Sequence, residues 1–381
     1  MRSPTPIVAL AGLLLVGAAC TKNDTDSASG NVKVRSTDDA CEVSAAAAPS
    51  GNVVFEVTND GSEVTEFYLL ADDGLRIIGE VENIGPGISR NLVVQAAPGG
   101  YFTACKPGMV GDGIRSAFTV SDSGQEVATG DVADLIATGT EQYRLYVRDQ
   151  VGQLVAKTQQ FADLYTAGSD DEARALYADA RTHWERIEPV AESFGDLDPK
   201  LDLREADLEA GQAWTGWHAI EKDLWPPASD YTPFTADERT ALADLLVVDT
   251  TDLSARVQEL TYDATQLGNG AKELLDEVAT GKVTGEEEIW SHTDLWDFQA
   301  NVDGARIAFE NLQPALEKKD PDLATTLTER FTALQQLLDR HRDGEGFQLY
   351  TELSTAEIKA LADAVNAPSE PLADLTAAVV L

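Results

Sequence analysis

The chain has 381 residues and carries 66 aspartates and glutamates against 28 lysines and arginines, a formal charge of -38. Such a surface repels phosphate backbones, which excludes nucleic-acid binding, and it concentrates multivalent cations nearby. A solvated acidic surface is explanation enough for most of these carboxylates.

The N-terminus reads as an export signal. Arg2 precedes a short apolar run, Ile7 to Val16, and the small residues Gly17-Ala18-Ala19 lead to Cys20. The run is too short to span a bilayer. Residues 1–20 resemble a lipoprotein signal peptide with its lipobox at Cys20, although Gly17 stands where leucine is usual; an ordinary cleaved signal is the alternative. Residues 21–30, rich in Ser, Thr, Asp and Gly, then form a flexible tether. The expected location is outside the cytoplasm, lipid-anchored at the outer face of the cytoplasmic membrane. Cys41 and Cys105 then remain, and two cysteines in an oxidising compartment usually pair.

Residues 31–120 are expected to form a small all-β sandwich. In Val53-Val-Phe-Glu-Val57 the residues Val53, Phe55 and Val57 share one face. Glu66–Leu70 and Leu75–Ile78 flank Asp72-Asp73-Gly74, a hairpin signal, and Gly/Pro pairs punctuate the chain at short intervals up to Pro107-Gly108. Residues 121–141 read as a linker. From 142 to 381 the grain is helical, with apolar steps of three and four as in Val257, Leu260, Ala264 and Leu267, so an all-α helical bundle follows the sandwich.

Three polar clusters interrupt the helical apolar pattern. The first is His183-Trp-Glu-Arg-Ile-Glu188, in which Glu185, Glu188 and Glu192 can line one face; Asp198 and Asp202 follow in the next loop. The second is Trp214-Thr-Gly-Trp-His-Ala-Ile-Glu221, which places His218 and Glu221 on one helical face before Pro226-Pro227 ends the helix. The third runs from Glu286-Glu-Glu288 to His292, Asp294, Asp297 and Asn301. Imidazole and carboxylate on facing helices suit iron, zinc or manganese, whereas the tryptophans at helical spacing read as packing. His341, in Asp339-Arg-His-Arg-Asp343, reads as a solvated charged turn.

The motifs around His183, His218 and His292, together with Thr65–Leu70, Gly79–Gly87 and Cys105–Met109 in the sandwich, resemble the EfeO-type iron-uptake lipoproteins. The resemblance extends from about residue 31 to the C-terminus. It implies a cupredoxin-like sandwich followed by an imelysin-like bundle whose His-x-x-Glu motif, here His218 and Glu221, binds metal. Carboxylates from neighbouring helices would complete that site: Glu185 first, then Asp198 or Asp202, with Glu277 and Glu287 competing for the remaining place. It also implies a second metal site in the sandwich, built from Cys41, Cys105, Glu66 and Met109. A disulfide between the two cysteines competes with this directly, because an oxidised pair offers poor ligands. No histidine precedes His183, so an ordinary two-imidazole copper centre cannot form.

By the same resemblance the chain captures ferrous or ferric iron and delivers it to a membrane iron permease. A dye-decolourising haem peroxidase acts alongside, and copper or zinc are further candidate ions. The rival reading is a metallopeptidase. Against it, His-Glu-x-x-His is absent and Ala219 stands where the general base would. Alginate or other polysaccharide binding through the tryptophans is the third reading.

Overall fold

The computed structural model describes residues 31–381 except 75–76, 112, 125–129, 209–210 and 230. Cys20 and the tether lie outside the described residues. Alternating Val, Phe and Ile side chains build two sheets. One has the order β2 (Cys41–Val43), β1 (Asn31–Ser36), β4 (Gly51–Asn59), β7 (Ser89–Ala96). The other runs β3 (Ala47–Pro49), β9 (Ile114–Ser121), β8 (Gly99–Pro107), β5 (Thr65–Leu70), β6 (Ile77–Ile84). β1 pairs with β4 in parallel, as does β3 with β9, and the other pairings are antiparallel.

Between the sheets Val53, Phe55 and Val57 point inward as their alternation demands, and Phe55 meets Phe67 and Phe118 with ring centroids 5.2 and 5.3 Å apart. The expected hairpin is the β5–β6 pair.

The helical part begins at Asp131 with α1 (Asp131–Thr166), inside the stretch read as a linker, so the connection after β9 is shorter than expected. The apolar steps from Leu135 to Tyr143 are too weak, beside Gly139 and Thr140, to signal the start of this helix. Then follow α2 (Asp170–Glu185), an irregular 3₁₀ stretch Glu188–Leu197, α3 (Asp198–Asp202), α4 (Trp217–Leu224) and α5 (Ala236–Glu259). α6 (Ala264–Thr280), α7 (Asp294–Lys319), α8 (Pro321–Leu338), α9 (Thr355–Leu372) and α10 (Leu375–Val380) complete the bundle.

The series Val257, Leu260, Ala264, Leu267 crosses a chain break. α5 stops at Glu259, and Asp263 opens α6 with a capping box in which its carboxylate accepts from the Thr265 and Gln266 backbone. No helix among the described residues is long and apolar enough to cross a membrane.

α6 carries the sandwich. It packs on β6 and β7; Asn269 Nδ2 donates to the Val93 carbonyl at 2.9 Å, and Gln95 N–H donates to Thr265 Oγ1 at 3.2 Å. At the far end, Asn52 Nδ2 donates to the Val380 carbonyl at 2.7 Å, tying α10 to β4. Gly270 lets α6 approach the 3₁₀ stretch, because a Cβ there would collide with the Pro189 carbonyl.

Candidate metal centre

α4 is short, and its placement depends on Gly216. This residue caps the helix at φ +86°, and a Cβ would drive into the Leu201 carbonyl of α3. The contact sets α4 against α3, so that His218 faces Asp202. His218 is 1% exposed. Its Nδ1 lies 3.2 Å from Glu221 Oε2, one helical turn on. Its Nε2 has no hydrogen-bond partner among the described residues and lies 3.5 Å from Asp202 Oδ1 and 3.6 Å from Glu287 Oε1.

The two sides of the ring differ in chemistry. Glu221 is fully engaged: Oε1 accepts from the backbone N–H of Trp290 at 3.0 Å and of Ser291 at 2.7 Å, while Oε2 meets His218. Beyond it, Glu288 accepts from Tyr177 O–H and Ser291 O–H, and burial and the Glu221 charge push its carboxyl well above the usual range. Burial likewise raises Asp297 well above its ordinary value, with the Glu288 and Glu185 charges adding to it and Arg181 only partly opposing.

On the Nε2 side burial also opposes charge, but Lys282, His218 and Arg181 hold Glu287 well below its usual value, and Arg181 with His218 lowers Asp202. Ionised acceptors therefore stand where the orphaned nitrogen points. Burial and the Arg181 charge depress the proton affinity of His218, yet Glu221, Glu287 and Asp202 outweigh them and raise it to about 9.

Two buried cations that sequence reasoning missed organise these acids. Arg181, on α2 and wholly buried, reaches Glu185 at 2.7 Å, Glu287 Oε1 at 2.9 Å and Glu288 at 2.6 Å, and also contacts Asp202 Oδ1. Lys282 reaches Glu185 at 3.0 Å and Glu188 at 2.9 Å. Neither cation sits in a recognisable motif; only burial among acids reveals them.

Of the sequence candidates, Asp202, Glu221 and Glu287 gather at His218, and Glu288, which was not a candidate ligand, joins them. Glu185 is instead turned to Arg181, Lys282 and Asn301. Asp198 and Glu277 line an outer cavity of about 240 Å³ shared with Glu188, Glu192, Arg204, Asp202 and Glu287. Asp202 and Glu287 thus belong to both the cavity and the buried centre. A metal fits the Nε2 side: one imidazole nitrogen and two ionised carboxylate oxygens form a donor set for iron, zinc or manganese.

The remaining sequence expectations fare differently. Cys41 and Cys105 are joined in a disulfide with Cα atoms 5.5 Å apart, so neither offers a thiolate. Cys105 packs in the inter-sheet core opposite Phe67, whereas Glu66 precedes Phe67 on β5 and projects from the other face toward Tyr68. Met109 is 40% exposed. Strand alternation therefore separates the donors of the expected sandwich site. His341 is buried and pairs with Gln348, contrary to a solvated turn. Trp217 packs in the core against Phe161 and Tyr177.

The outer face of β5 and β6 carries a further acidic group. Glu80, Glu192 and Glu273 bring their oxygens within 4.8 Å of one another across the sandwich–bundle seam. Burial and the Glu192 charge raise Glu80 well above the carboxylate range, and the two carboxyl groups share a hydrogen bond.

Comparison with known proteins agrees with this architecture. The imelysin (peptidase M75) family matches residues 139–375, and the cupredoxin-like domain family matches residues 7–120. The chain is 38% identical to the iron uptake system component EfeO of Yersinia pseudotuberculosis, 36% to that of Yersinia pestis and 35% to that of Escherichia coli O157:H7. Each alignment spans 347 residues and covers 90% of both chains. With the sandwich, the bundle and the His218 cluster all in place, the chain belongs to the imelysin family, in the EfeO group that joins this bundle to a cupredoxin-like domain.

Proposed function

We propose that the protein captures iron outside the cytoplasmic membrane and passes it to a membrane iron permease, holding the ion as cargo between His218 Nε2, Asp202 and Glu287. The observation that carries this reading is the buried, unpartnered Nε2 facing two ionised carboxylate oxygens. The naming of the relatives as iron uptake components supports iron over other ions that the donors would accept, zinc among them.

Glu221 has a supporting role in this scheme. Its carboxylate fixes the tautomer and orientation of the ring through Nδ1, as carboxylates behind metal-bound histidines do. The outer cavity, in which acids outnumber the single arginine and three apolar residues, opens the approach to the centre, with Asp202 and Glu287 on its wall. Anchoring through Cys20, and a haem peroxidase acting beside the permease, complete the proposed setting. In the sandwich, the disulfide and the outward Glu66 leave no gathered donor set for copper.

Calorimetry with ferrous, ferric and zinc ions tests the assignment. His218→Ala is expected to abolish measurable binding, and Asp202→Asn and Glu287→Gln each to weaken it. Wild-type affinity in His218→Ala would end this reading. Peptide release from a denatured protein substrate, lost in the same variants, would favour a peptidase instead.

A further inference from the structure

The two oxygens that face His218 Nε2 already have a cation on them. Asp202 Oδ1 contacts Arg181 Nη1, and Glu287 Oε1 lies 2.9 Å from Arg181 Nη2. These are the same atoms that stand 3.5 and 3.6 Å from the imidazole nitrogen. The guanidinium is wholly buried, so water cannot take over its contacts, and it cannot shed its charge by deprotonation. Behind it, Glu185 Oε1 and Glu288 Oε1 approach Nη2 and Nε to 2.7 and 2.6 Å, yet among the described residues neither Nε nor Glu185 Oε1 has a hydrogen-bond partner. Arg181 therefore has the Glu185 carboxylate to turn to when its front pair is claimed.

We propose that Arg181 is a built-in counter-cation: it holds the cargo site in shape when empty, yields Asp202 Oδ1 and Glu287 Oε1 to the arriving metal, and by its nearby charge keeps that metal releasable. This rests on the assignment of His218, Asp202 and Glu287 as the cargo ligands. The physical basis is charge balance. Buried without a cation, the ionised pair would cost several kcal/mol per group; Arg181 offsets this at both oxygens and Lys282, 3.7 Å from Glu287 Oε1, at one of them. A metal ion supplies that charge itself, after which the guanidinium becomes a repulsive neighbour in a low-dielectric setting. A site built this way stays folded while empty and binds less tightly than its donor set alone would allow, as suits a protein that hands its ion on.

The test is a zinc titration of the intact chain carrying Arg181→Gln, with Arg181→Lys as the charge-retaining control. Arg181→Gln is expected to melt lower than wild type without metal, to bind zinc about tenfold tighter or more, and to gain more thermal stability from zinc than wild type does. Arg181→Lys should stay near wild-type affinity. A residue needed only for structure would weaken zinc binding when removed, so equal or weaker binding in Arg181→Gln overturns the proposal. His218→Ala is run in parallel: if it binds zinc like wild type, the ligand assignment itself has failed and not the role of Arg181. Should Arg181→Gln not fold, a crystal structure of the zinc-loaded wild-type chain decides. Arg181 displaced from Asp202 or Glu287 supports the proposal; zinc on His218 Nε2 with both arginine contacts intact overturns it.

Discussion

His218 keeps its two ring nitrogens in different company, and that division has consequences for mutation. Nδ1 belongs to Glu221, whose second oxygen is spent on two backbone N–H groups, whereas Nε2 faces ionised oxygens. Glu221→Gln is therefore expected to weaken zinc binding about 10- to 100-fold, the usual effect of losing an orienting carboxylate, without changing stoichiometry; calorimetry reads both. Gly216→Ala should cost about 1–3 kcal/mol in backbone strain alone, more if α4 cannot move away from Leu201, and urea unfolding measures it. The pairing of His218 with Glu221 was legible from three-residue spacing, because helical geometry alone brings them together. Arg181 and Lys282 were not. Spacing is blind to partners about a hundred residues away, and a lone cation in an acidic chain looks like surface.

Elements were most legible where short-range pattern and turn residues suffice. The alternation in β4 and the hairpin of β5 with β6 needed only period-two patterning and a turn signal. Apolar spacing misled between Val257 and Leu267, where the pattern runs on across the gap from α5 to α6 and only Asp263 with Gln266 marks the new start. Asp263→Ala is expected to destabilise the chain by about 1 kcal/mol in urea unfolding, the usual loss for a removed cap. On β5 the same alternation that builds the core sends Glu66 away from Cys105, which a list of metal-favouring residue types could not reveal. With its ends 64 positions apart in sequence, the Cys41–Cys105 bridge is expected to contribute about 4 kcal/mol, and mass spectrometry should show a two-dalton gain on reduction. Free thiols in the unreduced protein would contradict this.

At the scale of the whole molecule the sandwich and bundle share a polar seam that neither half announces by itself. Around Glu192 stand Glu80 and Glu82 from β6, Glu66 and Tyr68 from β5, and Lys272 and Glu273 from α6. Burial raises Glu192 from 4.5 to about 8, with the hydrogen bond from Glu80 only partly opposing it, and burial with the Glu80 charge takes Glu82 to about 9. A carboxyl raised on folding binds its proton more tightly in the folded state. Its contribution is therefore complete below about pH 4.5 and is lost as pH climbs through about 8. Thermal midpoints should fall between pH 5 and 8.5, and Glu192→Gln should flatten that slope; an unchanged slope would remove Glu192 from the explanation. The seam was illegible in the sequence because its acids come from segments that only tertiary packing makes neighbours. The Asn52–Val380 bond adds an order of events. A ribosome finishes the sandwich long before it makes α10, so this clamp joins a strand residue to a helix residue made 328 positions later and can close only after the bundle between them has been synthesised.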